Sequence, residues 1–119
     1  MIQKFTIVVP IDKCGVYTAN TFHLYKGFFR KFSKFGEYIK ISIRKTKPEN
    51  TLTKKTKKKA IIVRTKKKKS ICDGSFIRFD HNGVVILKKR LTPEGKEIFG
   101  PILRSFKKKK FLSSFSGLI

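Results

Sequence analysis

The 119-residue chain has very few acidic residues. Seven Asp and Glu face 30 Lys and Arg, which leaves a formal net charge of +23. Carboxylates can pair with only a minority of these cations, so the isolated fold repels itself. A polyanion that neutralises the charge is expected. Nucleic acid is the first candidate, ahead of an anionic membrane and an acidic protein.

Long apolar runs, cysteines and tryptophan are also scarce or absent. The longest apolar stretches, at 6–9 and 84–87, are far shorter than the roughly 18 residues of a membrane span, so no transmembrane segment is predicted. Cys14 and Cys72 lie far apart, without a Cys-x-x-Cys pair or neighbouring histidines. The sequence therefore predicts no metal site, and two small, partly buried thiols in a reducing compartment.

The residues that catalysis needs are few. His23 and His81 are the only histidines, and no carboxylate pair, nucleophile motif or Gly-rich phosphate loop is present. Residues 80–83, Asp-His-Asn-Gly, could form an acid–base cluster, but a hairpin turn explains the same four residues and is preferred. We expect a protein that is not an enzyme and has no cofactor.

The remaining pattern predicts β-strands. Six short runs, at 5–9, 16–24, 38–44, 60–65, 76–79 and 84–87, are separated by turn signals that contain Gly or Asn. Ile39, Ile41 and Ile43 alternate with polar or basic residues, so one face of that strand is apolar and the other is basic. The spacing is typical of a small closed barrel or sandwich in a single domain.

Three lysine-dense segments, at 54–59, 66–69 and 107–110, interrupt this pattern. None can pack in a core, and the first two flank the apolar strand at 60–63. One such run could be a solvated face that maintains solubility. Three of them with almost no acidic residues between them favour loops or strand ends that bind an anion.

Aromatic and basic residues alternate at 27–36, between Gly27 and Gly36. Aromatic faces can receive unstacked RNA bases while the cations bind phosphates. The alternative is that these Phe side chains close the barrel, and the sequence leaves it open whether Phe28 and Phe29 stack on bases.

Much of the chain resembles a known family. The segments AIIVRT at 60–65 and DGSFIRFDHNGVVI at 73–86 are similar to the central signature of the universal large-subunit ribosomal protein L-fourteen family. Met1-Ile2-Gln3, the turn at 12–15, residues 36–43, Pro48 and residues 93–101 follow in family order and spacing. The resemblance covers about residues 1–111.

The resemblance implies a mainly β fold: a small closed five-stranded β-barrel with basic loops over about 1–92 and a short, partly helical C-terminal region over about 93–119. It also implies a non-catalytic constituent of the large ribosomal subunit. The implied partners are large-subunit rRNA, neighbouring ribosomal proteins, small-subunit rRNA at an intersubunit bridge, and a ribosome silencing factor that blocks subunit joining by occlusion.

The chain departs from the family pattern at a loop, at the silencing-factor surface and in its C-terminal tail, where residues 111–119 lack the usual ending. Residues 55–58 read Lys-Thr-Lys-Lys where the family has Gly-Asp and two apolar residues, which predicts the loss of a tight turn and added cations. The silencing-factor surface of the family has a Thr-Arg pair where this chain has Lys96 and Glu97, and a lysine where it has Ser113.

Lysines are expected to bind phosphates as point charges, and arginines as bidentate forks. The predicted rRNA-binding residues are Arg30, Lys31, Lys34, Arg44, Lys54, Lys55, Lys57, Lys58, Lys59, Arg64, Lys66, Lys67, Lys68, Lys69, Arg78, Arg104, Lys107 and Lys108. The predicted protein and subunit interface consists of Lys96, Glu97, Ile98 and Phe99.

Two other functions stay open at this stage. A basic membrane-surface protein would use the same lysines on anionic lipid, although residues 102–115 make a weak amphipathic helix. A free nucleic-acid chaperone of barrel fold would exchange on and off ribosomes. The 24 Lys against 6 Arg and the abundant Phe and Ile fit an A/T-rich coding sequence, so a mitochondrial, organelle-encoded protein is expected, with a plastid or a reduced bacterium as alternatives.

Overall fold

The computed structural model describes residues 2–25, 27, 31–48, 53–70, 74–89, 98–102 and 115–118. Within these ranges every regular element is a β-strand. The strands are β1 (Ile7–Pro10), β2 (Val16–Leu24), β3 (Tyr38–Thr46), β4 (Lys57–Arg64), β5 (Lys69–Ser70), β6 (Phe76–Ile77), β7 (Gly83–Leu87), β8 (Ile98–Ile102) and β9 (Phe115–Leu118).

Five strands form a closed barrel in the order β1-β2-β3-β4-β7, which confirms the predicted five-stranded barrel. Neighbouring strands are antiparallel except for β1 and β7, which close the barrel in parallel, with Val9 opposite Gly83. Closure pairs every barrel strand on both sides and removes the exposed edges of an open sheet.

The barrel interior is filled by the inward side chains of the alternating strands. Ile39, Ile41 and Ile43 of β3 are fully buried, as their alternation with polar residues predicts. They pack in one cluster with Ile2, Val8, Val16, Ala19, Leu24, Ala60, Ile62, Val84 and Ile86. Ile2 is held there because its backbone NH and CO each bond to Ser33 at 2.8 Å.

A second apolar cluster covers the outer face of β4 and β7. Ile61, Val63, Val85 and Leu87 point away from the barrel interior and pack with Ile11 and Ile98, beside Phe35 and Tyr38. Both faces of residues 60–63 of β4 and of β7 are therefore buried, which explains why these segments are continuously apolar rather than alternating. The second cluster joins the barrel to β8.

The basic start of β4 belongs to the barrel wall. The strand begins at Lys57, three residues before the predicted start, because Lys57 and Lys59 pair with Ser42 and Lys40 of β3. The predicted loss of a tight turn just before it is wrong. Residues 53–56 make a turn in which Lys55 adopts φ +66°, a left-handed conformation that usually needs Gly.

The hairpin predicted at 80–83 is also wrong. β6 pairs with β5, whereas β7 pairs with β1 and β4 inside the barrel, so residues 78–82 connect two different sheets. Asn82 anchors this connection: its backbone CO accepts a bond from Val9 N at 3.0 Å, and its Oδ1 accepts one from Lys66 N at 3.0 Å.

The described parts of the C-terminal region form β8 and β9, a parallel two-stranded sheet. The predicted partly helical segment falls largely on residues 90–97 and 103–114, which lie outside the described ranges. None of the described residues forms a helix that is long and apolar enough to cross a bilayer.

Candidate nucleic-acid interface

The loop after β4 presents the second lysine run to solvent. Lys66, Lys67 and Lys68 are exposed, while their backbone is held in place. The hydroxyl of Thr65 donates to the carbonyl of Lys67 at 3.2 Å, and the Thr65 carbonyl accepts a bond from Phe79 N at 3.1 Å. Hydrogen bonds therefore fix the backbone of the loop, and its long cationic side chains extend from the surface.

This run lies beside the aromatic and basic segment that precedes β3. A cleft of about 380 Å³ is lined by residues of both segments: Lys34, Phe35, Glu37, Thr65, Lys67, Lys68, Lys69 and Ser70. The ammonium Nζ of Lys69 lies 3.9 Å from the ring centroid of Phe35, a cation–π contact. Tertiary structure therefore brings together two predicted sets that are some thirty residues apart.

The phenylalanines of the 27–36 segment have different environments. Phe35 packs against the second cluster, on the outer face of β4 and β7 and not in the barrel interior. Phe32 is 41% exposed, and Phe28 and Phe29 lie outside the described residues together with Arg30. Lys31 and Lys34 are exposed.

Aromatic rings also hold lysines on the outer face of β2, β3 and β4. Lys59 Nζ lies 4.9 Å from the centroid of Tyr25 and 4.6 Å from that of Tyr38. Lys57 Nζ lies 5.8 Å from the centroid of Phe22. Such contacts restrain an ammonium group but do not neutralise its charge, whereas a carboxylate would neutralise it.

Arg64, at the other end of β4, differs from the exposed cations. Its side chain is only 7% exposed, and its Nε donates to the carbonyl oxygen of Pro101 at 3.1 Å. Gly100 passes so close, with φ +79°, that an added Cβ would collide with the guanidinium. The prediction that Arg64 binds phosphate does not fit this position, because its fork is directed at β8.

His81 lies against the same guanidinium, with Arg64 Nη1 donating to His81 Nε2 at 3.4 Å. Burial lowers the pKa of His81 below 6.5, and the positive charge of Arg64 lowers it further, against the opposing effect of Asp80. Burial also lowers the pKa of Arg64. The imidazole is therefore neutral at neutral pH and can accept the bond from arginine.

Cys14 is half-buried and free, and packs against the barrel core. Burial, and then the negative charge of Asp12, raise the pKa of its thiol to about 12. The thiol is protonated at physiological pH, so Cys14 behaves as a small core residue. Cys72 lies outside the described residues.

The other predicted residues differ in exposure, and some of them lie outside the described residues. Arg44, Lys54, Lys55 and Arg78 are exposed, and Lys58 is half-buried. Ile98, predicted at a protein interface, is 3% exposed and packs in the second cluster, so its side chain does not form a docking surface. Phe99 lies in β8, and the following fall outside the described residues: Lys96, Glu97, Arg104, Lys107 and Lys108.

The rRNA-binding residues predicted from the sequence do not include Lys88 and Lys89, or the rings of Phe22, Tyr25 and Tyr38. Lys88 and Lys89 directly follow β7, whose last residue, Leu87, lies opposite Lys59. Their proximity to the first lysine run follows from strand register, which composition does not reveal. A motif of two lysines after an apolar strand was the only available signal.

Comparison with known proteins identifies the family. Residues 1–117 match the family described as ribosomal protein L14p/L23e. The large ribosomal subunit protein uL14m of Tetrahymena pyriformis is 52% identical over 119 residues, which cover the whole of both chains. This is a family of large-subunit structural proteins rather than a class of enzymes. The chain therefore belongs to the ribosomal protein L14p/L23e family.

Proposed function

We propose that the protein binds large-subunit rRNA through its lysine-rich loops and strand ends and has no catalytic activity. The observation that carries the proposal is the cleft where Lys34 meets Lys67, Lys68 and Lys69. One carboxylate, Glu37, lines it against four lysines. RNA phosphates would supply the missing negative charge, and the apolar core and the second cluster would hold the loops that bind them.

The binding energy would come mainly from release of the counterions condensed on RNA. Lysine ammonium groups act as point charges on phosphates, so this contribution depends little on sequence and strongly on salt. Recognition would then rest on the shape of the folded rRNA, which fits a protein with a rigid barrel and several basic loops.

The proposed partners extend to neighbouring ribosomal proteins, small-subunit rRNA at an intersubunit bridge, and a ribosome silencing factor. The proposed location is the ribosome of the mitochondrion, supported by the 52% identity to uL14m. We also propose that residues 1–119 act as one ribosomal domain. The family match over residues 1–117 supports that extent.

The first test is sedimentation of a native lysate on a sucrose gradient at low salt, with the protein quantified by mass spectrometry. We expect stoichiometric amounts in large subunits and monosomes, released by high salt or by RNase. Substoichiometric exchange would favour a free chaperone. Sedimentation with membranes would favour lipid as the anionic partner.

A second test assigns the contact to the loop after β4. Replacing Lys66, Lys67, Lys68 and Lys69 by Gln removes four cations from the cleft and its rim. If each contacts one phosphate, the slope of log K against log salt becomes shallower by roughly 3–4. An unchanged slope in a variant with the wild-type circular dichroism spectrum would exclude this loop from the RNA contact.

A further inference from the structure

A second lysine-lined depression lies at the start of β4 and the end of β7. It is a hollow of about 290 Å³ lined by Lys57, Lys58, Lys59, Leu87, Lys88 and Lys89. β4 and β7 are antiparallel with Lys59 opposite Leu87, so the first residues of one strand and the residues after the other meet at the same end of the barrel. We call this group the five-lysine hollow.

The charge of the hollow is unbalanced. Its described lining contains five lysines and no carboxylate. Like charges confined to so small a space repel one another, and water and salt screen this repulsion only partly. A ligand that carries several negative charges close together relieves the repulsion at every lysine at once, whereas a single carboxylate would not.

Two of the five ammonium groups are held in place by aromatic rings. Lys59 lies between Tyr25 and Tyr38, with its Nζ within 5 Å of both centroids, and Lys57 lies over Phe22. The rings leave the charge of each ammonium intact. Part of the entropy cost of fixing a lysine on a ligand is therefore already met in the free protein.

The lining also limits the class of ligand. Leu87 is the only apolar residue of the described lining, which therefore contains no aromatic ring on which a base could stack. Phosphate oxygens, which need only donors and positive charge, match such a lining.

We propose that the five-lysine hollow binds closely spaced backbone phosphates of large-subunit rRNA, at a sharp bend of the RNA strand. This inference rests on the RNA-binding function proposed above and names one contact that the loop after β4 does not make. Tyr25, Tyr38 and Phe22 act as positioning residues, because they would reach the phosphates only through Lys59 and Lys57.

The test measures binding of the full chain to large-subunit rRNA between about 50 and 200 mM salt. The variant Lys88→Gln/Lys89→Gln removes two cations of the hollow that lie outside the strands. The control Lys45→Gln/Lys47→Gln removes two exposed cations near the end of β3. We expect the first variant to flatten the log–log salt slope by roughly 1.4–1.8, at 0.7–0.9 per lost phosphate contact, and the control to change it by less than half as much.

If the two variants had equal salt slopes while the wild-type chain still bound rRNA, the hollow would not be a phosphate-binding site. The proposed RNA-binding function would be unaffected. If the wild-type chain did not bind rRNA, both the hollow as a phosphate site and the proposed RNA-binding function would be contradicted. A third arm adds tripolyphosphate as a free polyanion. If the chain bound tripolyphosphate more tightly than rRNA at matched salt, the ligand of the hollow would be a soluble anion and not the RNA backbone. That result would overturn the proposal.

The positioning role has a test that leaves the net charge unchanged. Tyr25→Leu removes one ring contact of Lys59, and we expect rRNA affinity to fall about two- to fivefold. Tyr25→Phe keeps the ring and is expected to restore wild-type affinity. Equal affinity of the Leu and Phe variants, both with wild-type thermal unfolding, would show that the ring does not position the lysine.

Discussion

The two ends of β4 carry cations of opposite character. At its start, Lys57 and Lys59 lie on the outer surface, with their Nζ atoms over aromatic rings. At its end, Arg64 is buried and donates to Pro101 of β8. Contact with β8 makes the difference, since Pro101 and Gly100 lie against the guanidinium of Arg64. Lys57 and Lys59 precede the part of β4 that the second apolar cluster covers, near Ile61 and Val63.

This contrast shows that a basic residue in a basic protein is not automatically a phosphate ligand. Both ends of β4 are basic in sequence, yet Lys57 and Lys59 are at the surface, whereas Arg64 is buried and bonds to β8. Variants at the two ends should therefore affect different measurements.

The largest expected effect is at the buried end. Arg64→Gln removes the charged donor to Pro101 and leaves that carbonyl without its partner, so we expect the free energy of unfolding to fall by about 2–3 kcal/mol. Lys57→Gln, at the exposed end, should cost no more than about 1 kcal/mol. Urea denaturation of both variants measures the difference. Equal destabilisation would mean that Arg64 is not a structural residue.

The next effect concerns the turn that leads into the basic end. Lys55 adopts φ +66°, which strains any residue with a Cβ. Lys55→Gly should raise the free energy of unfolding by about 0.5–1 kcal/mol, the relief of strain less the greater entropy of Gly in the unfolded chain. Lys55→Ala loses the same charge but keeps the Cβ, so it serves as the control. A stabilised Ala variant would assign the effect to charge repulsion instead.

The smallest expected effect is a pH dependence at the buried end. Because the pKa of His81 in the folded state lies below 6.5, the unfolded chain takes up a proton first as the pH falls. The contribution of His81 to stability is present above pH 6.5 and is lost as the pH falls toward its folded pKa. Denaturation between pH 7.5 and 5 should show this loss.

The variant His81→Gln should remove that part of the pH dependence, whereas His23→Gln, which leaves His81 in place, should retain it. If the His81→Gln variant followed the wild-type curve, the interaction of the imidazole with Arg64 would not contribute to stability. This result would weaken the view that the end of β4 is a buried polar junction.

Much of the fold was predictable because local pattern dictates it. The alternation in β3 predicts a strand with one buried face, and the bounds of β2 match the structure at both ends. Register was not predictable. A strand at 76–79 and a Gly-containing turn after it are compatible with a hairpin, but pairing with β5 is decided by contacts between residues far apart in sequence.

Only part of the candidate site could be predicted from the sequence. Exposed runs such as Lys66–Lys68 are evident from composition, since lysine is rarely buried. Ring contacts of Lys57 and Lys59 and the approach of Lys88 to Lys59 depend on which strands are neighbours. The burial of Arg64 depends on β8, which lies more than thirty residues away along the chain.

Composition and local pattern alone determine that this protein is a basic, mainly β polypeptide, because net charge and side-chain periodicity are properties of the linear chain. The tertiary structure alone decides where its cations lie, because burial and proximity depend on contacts between residues far apart in sequence. Contact with β8 buries Arg64, the fold brings Lys34 to the loop after β4, and the register of β4 and β7 gathers five lysines around one hollow.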